Sequence, residues 1–222
     1  MASPSLSPSV SPSISPSASP SASPSPAYTT TVSYILTIPL IDSVAVLGVN
    51  ARFVSIIVKD VTTAEVYNEL VSLASVDDEP EDVVKLDLPE AVGGTLEIVA
   101  TGYDATAKIG EIVIGNKSLM GDMRYSPEVG IIDYSIKETD AFGNYIITER
   151  AYSKTLSCDI RIDNDDLDDV YSLLAEYRAT PLVWVGSVDY GSLIVYGFCK
   201  NFDIVIPYNT YSDCSLDIEG LS

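Results

Sequence analysis

The chain has 222 residues, 46% of them apolar and 14 of them Tyr, and its 12 basic against 32 acidic residues leave a net charge of −20. A phosphate backbone would be repelled by that charge, which argues against nucleic-acid binding. No apolar run reaches the roughly 18–20 residues that a membrane-spanning helix needs, which argues against membrane insertion.

Residues 3–26 repeat Ser-Pro-Ser-x, with Leu6, Val10, Ile14, Ala18, Ala22 and Pro26 at the variable position. Proline fixes φ and biases the residue before it toward extended backbone, so the segment is not helical. In an extended chain successive side chains alternate, which puts every Pro and x on one side and every Ser on the other. The variable residues are graded, with Leu, Val and Ile first and Ala and Pro later. Residues 1–27 therefore read as an extended arm whose tip, through Leu6, Val10 and Ile14, docks on a neighbouring molecule. A plain disordered linker and a modified stalk are the alternatives. No basic stretch leads into a continuous apolar core here, so no secretory signal is expected.

From residue 27 the composition changes. Runs at 30–40, 44–49 and 53–59 are rich in β-formers and predict strands, and 62–63 opens a turn. Residues 65–73 predict a strand or short helix. Residues 77–82 (DDEPED) predict an acidic loop, solvated or holding a hard cation. Gly93-Gly94 predicts a hairpin turn before a strand at 95–101, and 109–114 closes the unit. Short strands at this spacing indicate a β-sandwich or jelly roll over 28–115.

Residues 116–222 predict an α+β domain. The alternating stretches 129–137 and 145–161 flank Asp140-Ala141-Phe142-Gly143-Asn144, a turn signature, and together predict a long β-hairpin with a projecting outer part. Phe142 and Gly143 at its tip join Leu6, Val10 and Ile14 as candidate assembly contacts. Residues 163–169 (DNDDLDD) look like a calcium loop, but the expected Gly and Glu are missing. A helix at about 165–178 explains the acids better: Asp163 or Asn164 caps it and Asp165 and Asp166 meet its positive end. Leu167, Val170, Tyr171, Leu174 and Tyr177 fall on one face, Arg178 lies at the carboxyl end, and Thr180-Pro181 stops it. Strands follow at 182–186, 192–200, 203–207 and 214–218. The fold class is mainly β, an N-terminal sandwich followed by an α+β domain with one helix and a long hairpin.

The chain has no histidine, which removes Ser-His-Asp, Cys-His and HExxH chemistry. Phosphate-loop motifs are missing as well. A carboxylate pair for glycoside cleavage is open to any acidic chain, but nothing raises Asp133, Glu149 or Glu219 above surface or ion-paired residues. No enzyme, catalytic residue, cofactor or metal is expected. Cys158, Cys199 and Cys214 have no disulfide-like spacing; Cys158 and Cys214 alternate with Leu and Ile as small core residues, which fits synthesis in a reducing cytosol. Tyr190, Tyr196, Phe198 and Phe202, near Trp184, predict core or interface packing; sugar stacking is the alternative.

Three stretches carry a resemblance. They are 42–51 (DSVAVLGVNA) with 65–67 (EVY); 108–115 (KIGEIVIG); and the set IDYS at 132–135, DAFG at 140–143, RAYSK at 150–154, RATPLVW at 178–184 and IEGL at 218–221. In these the chain resembles tail-associated structural proteins of tailed bacteriophages. The resemblance implies a galactose-binding-like jelly roll, then an α+β domain, covering most of 30–222. It implies a tail ring, baseplate or fibre-adaptor subunit, assembled in the bacterial host cytoplasm and located in the virion. Its partners would be other copies of itself and other virion proteins of the tail tube, baseplate or fibres. A lectin-like glycan-binding module and a capsid decoration or head-fibre protein are the alternatives.

Overall fold

The structure is a computed structural model and describes residues 31–38, 40–73, 80–102, 107–140 and 142–221. The N-terminal arm, with Leu6, Val10 and Ile14, lies outside the described residues, as do 77–79 of the acidic loop.

The first half is built from strands β1 (Thr31–Thr37), β2 (Ser43–Val49), β3 (Phe53–Lys59), β4 (Glu65–Ser72), β5 (Glu81–Lys85), β6 (Thr95–Thr101) and β7 (Glu111–Gly115). They form a four-stranded sheet in the order β1-β6-β3-β4 and a three-stranded sheet in the order β5-β2-β7. All pairings are antiparallel. Alternation decides the inner faces: Val54, Ile56 and Val58 of β3 oppose Ala100, Ile98 and Leu96 of β6, and all six are buried. They meet Val44, Val46 and Val49 of β2 and Val83 of β5 in one core between the sheets, which makes a β-sandwich.

Strand β2 does not alternate. Val44 and Val46 enter the sandwich core, while Ala45 and Leu47, on its other face, are buried with Ile194 in a separate cluster. Continuous apolarity is what a strand covered on both faces requires.

The second half contains β8 (Asp122–Met123), β9 (Glu128–Asp133), β10 (Ile136–Thr139), β11 (Tyr145–Thr148), β12 (Tyr152–Asp163), α1 (Leu167–Glu176), β13 (Leu182–Val185), β14 (Ile194–Val205) and β15 (Tyr211–Gly220). A six-stranded antiparallel sheet runs β13-β14-β15-β12, with β8 and β9 sharing the outer edge of β12. Val170 and Leu174 of α1 pack with Leu156, Ile160, Leu216 and Ile218 from one face of this sheet. Cys199 and Cys214 are buried in the same core, and the half-buried Cys158 packs against it. The buried Trp184 donates its indole N–H to the Gly197 carbonyl at 3.0 Å. Gly197 stands opposite Gly220, so close to β15 that a Cβ would collide with the Glu219 carbonyl.

The two halves touch through the outer face of β5-β2-β7 and the β13-β14 edge. Ala45, Leu47, Val84 and Val113 meet Val183, Val185, Ile194 and Tyr196. Two polar links reinforce the contact: the Tyr196 hydroxyl to Glu111 at 3.1 Å and Lys154 to Asp82 at 2.7 Å.

Several local expectations are corrected. Glu81 and Asp82 begin strand β5 and are not loop residues. Asp82 is engaged by the Gly48 N–H and by Lys154, so it is neither solvated nor free for a cation. The turn at Gly93-Gly94 joins strands of different sheets and is not a hairpin turn. Asp163 ends β12, and Asp166 occupies the helix cap position without a side-chain cap bond. Asn164 instead donates to the Tyr208 carbonyl and accepts from Ser212. The acids of the first helical turn are Asp168 and Asp169. Tyr171 is exposed and meets Phe202 edge-on. The runs at 192–200 and 203–207 are one strand, β14, with a bulge that leaves Lys200 out of register. Tyr190 is exposed and fills no core. Arg178 does close the helix, donating to the Ala175 carbonyl at 2.6 Å.

Candidate assembly surface

The hairpin expected from 129–137 and 145–161 forms, in two sections, although beyond Ser157 strand β12 turns to β8 for Ile160 and Arg161. The inner section pairs β9 with β12, from Tyr152 opposite Asp133 to Ser157 opposite Glu128. The outer section pairs β10 with β11, from Ile136 opposite Thr148 to Thr139 opposite Tyr145. The outer pair belongs to no larger sheet.

Hydrogen bonds lock the joint between the sections. One Asp133 oxygen accepts the Ser135 N–H at 2.9 Å and the other accepts from Lys137 at 2.8 Å. The Ser135 hydroxyl accepts the Arg150 N–H at 3.1 Å, and Tyr134 donates its N–H to the Ala151 carbonyl at 3.3 Å. The bonds from Lys137 and Ser135 hold the Asp133 carboxyl well below its ordinary pKa.

The tip is built around Asp140. One carboxylate oxygen accepts the N–H groups of Phe142 and Asn144, each at 2.8 Å, and the other accepts the Asn144 side-chain amide at 3.0 Å. These bonds, led by that from the Asn144 side chain, lower the Asp140 pKa. The Asp140 carbonyl accepts from Gly143, whose φ of +86° is a left-handed conformation that suits glycine. Phe142 is thereby fixed at the tip and is 90% exposed.

Each face of the outer section carries two large apolar side chains beside Glu138 and Thr148 on one face and Lys137 and Thr139 on the other. The register places Ile136 and Ile146 on one face and Tyr145 and Ile147 on the other. Tyr145 is 81% exposed, and Ile146 and Ile147 are more than half exposed. Val129 and Ile131 add exposed apolar groups on β9. An isolated two-stranded ribbon in water is marginally stable, and one with large apolar side chains exposed on both faces shows what other proteins cover. Of the five candidate contacts, Phe142 and Gly143 are thus brought to one projecting point, and Leu6, Val10 and Ile14 lie outside the described residues. Sequence reading missed Tyr145, Ile146 and Ile147 as surface residues. The available signal was three consecutive large apolar residues just after a turn, a run that a strand with one dry face does not need.

A second feature was not expected. Between the β5-β2-β7 sheet and the α1-β13 edge lies a groove of about 410 Å³, lined among others by Val84, Leu86, Leu119, Leu173, Tyr177 and Val183. Among the described residues that line it, Lys117 is the only charged one. A second concavity, of about 340 Å³, lies over β9, β12 and β15, with Ser157, Lys200, Asp217 and Glu219 in its wall. Its groups bind one another: Ser157 bonds Asp217, and Lys200 pairs with Glu219 at 3.0 Å.

Among the described residues no group of three or more acids and cysteines is placed to hold a metal ion. Among them also, no helix is long and apolar enough to cross a membrane. No protein-family model, no curated protein and no solved structure matches the chain.

Proposed function

We propose that this chain is a self-assembling structural subunit of a bacteriophage virion, in a tail ring, baseplate or fibre adaptor, and that it works by docking and performs no catalysis. The observation that carries the reading is the pre-formed hairpin with apolar side chains on both faces and Phe142 at its point. A ribbon of that kind gains most when it is buried against another molecule. Its turn is already ordered by Asp140, so little further conformational entropy is lost on docking. The motif resemblance supplies the setting, and the arm at 1–27 supplies a second strap to a neighbour. At about 3.1 Å per residue, a Pro-rich segment of this length reaches on the order of 80 Å.

The test is assembly of the full chain against a variant lacking residues 1–26 and a Tyr145→Ser/Ile147→Ser variant. The reading expects both variants to fold with unchanged circular dichroism and to yield fewer incorporated copies per particle. Wild-type incorporation by both would reject it. Antibody labelling of intact particles is expected on the tail; label confined to the head would move the subunit to the capsid.

A further inference from the structure

The face of the six-stranded sheet turned away from α1 gathers unsatisfied polar groups at one corner. Arg161 of β12 stands opposite Asp122 of β8 on one side and Asp213 of β15 on the other. Its neighbours Ile160 and Ile162 are buried in the core under α1, so alternation puts Arg161 on the solvent side. The guanidinium lies 4.2 Å from the centre of the Tyr211 ring. Among the described residues it forms no ion pair, although carboxylates flank it.

Asp213 has the complementary need. Its Oδ1 is the one buried side-chain oxygen or nitrogen without a hydrogen-bond partner among the described residues. Arg124 approaches that oxygen to 3.3 Å without the alignment of a hydrogen bond. Buried polar atoms are nearly always bonded, so this one calls for a donor. An apolar shelf adjoins it. Tyr208, in the turn between β14 and β15, packs on Tyr211 with ring centres 4.7 Å apart and is 57% exposed. Val205, opposite Asp213 in the register, is also exposed.

The charges choose among ligands. An anion suits the two arginines but meets Asp122 and Asp213, with Asp159 and Asp163 two residues to either side of Arg161 on the same face. A cation suits those acids but meets both guanidinium groups. An uncharged saccharide suits both: a hydroxyl donates to a carboxylate and accepts from a guanidinium, and the C–H face of the sugar ring packs on an aromatic ring.

We propose that Tyr208, Tyr211, Arg161, Arg124 and Asp213 form a binding site for an uncharged saccharide. One hydroxyl donates to Asp213 Oδ1, a neighbouring one accepts from Arg161, and the sugar ring packs on Tyr208. The inference goes beyond the assembly reading and holds whether or not copies associate.

An array of neutral, amino and acidic glycans probed with the full chain tests it. Binding is expected on neutral glycans. In titration of the strongest of these, Tyr208→Ala should weaken binding about 10-fold. Tyr208→Phe keeps the stacking ring and should bind as the parent chain does, as should Tyr125→Ala at a fully exposed position elsewhere. Tyr208 is itself exposed, so these substitutions leave the fold intact. An array without binding would overturn the proposal, and so would affinity unchanged in Tyr208→Ala. Binding confined to sulfated or carboxylated glycans would make the corner an anion site of the arginines and overturn it as well. None of these outcomes touches self-assembly, which sedimentation reads separately.

Discussion

Asp82 divides its carboxylate between the two halves of the molecule. One oxygen accepts the Gly48 N–H at 2.9 Å, and the other takes Lys154 of β12 at 2.7 Å. Gly48 has a φ of +61°, at the point where β2 shifts register against β5. The carboxylate thus satisfies a donor that the irregular backbone leaves without a ladder partner. Its side chain is only 14% exposed, so removing it leaves the Gly48 N–H without its acceptor, whereas Lys154, 39% exposed, can turn to water. Asp82→Ala is expected to lower the unfolding free energy by about 1–3 kcal/mol in urea titration. Asp82→Asn keeps an acceptor for Gly48 and loses the ion pair, so its loss should be smaller. Equal losses for the two variants would show that only the charge matters.

At the scale of elements, the projecting hairpin is held by two carboxylates rather than by a core. Asp133 and Asp140 both have pKa values below the ordinary carboxyl range because they accept hydrogen bonds in the folded chain. A depressed folded pKa means that the stabilisation is complete above the unfolded value, near 4, and is lost as pH falls through the folded one. Amide chemical shifts of residues 142–148 are therefore expected to collapse toward random-coil positions as pH drops below about 4. Asp140→Ala should produce part of that change at neutral pH, and unchanged shifts in that variant would remove the carboxylate from the account. Asp140 through Asn144 was legible as a turn because Asp, Gly and Asn each have a local reason to be there. The helix was legible from the spacing of Val170 and Leu174, but its start was not. Asp163, Asn164, Asp165 and Asp166 are all good capping residues, and only the length of β12 chooses among them. Strand β5 was hidden because its first residues are acids, and the pairing that makes Asp82 useful comes from Gly48 and Lys154, 34 and 72 residues away. The bulge at Lys200 interrupts the alternation and splits one strand into two on paper. The groove could not be read at all, because its walls come from segments joined only by tertiary packing.

For the whole molecule, electrostatics and apolar docking oppose each other. Copies of net charge −20 repel over distances that salt shortens, with a Debye length of about 10 Å at 0.1 M and about 3 Å at 1 M. Apolar contacts at the hairpin are strengthened or unaffected over that range. Self-association measured by sedimentation is therefore expected to rise between low salt and about 0.5 M NaCl. A fall would mean that ion pairs, not Phe142, Tyr145 and Ile147, hold the copies together. The same architecture ties the two halves together. Strand β2 is a party wall: Val44 and Val46 face one room and Ala45 and Leu47 the other. Separating the halves would bare Ala45 and Leu47 while Val44 and Val46 stay in the sandwich core, so the shared strand couples the two halves through the small cluster with Ile194.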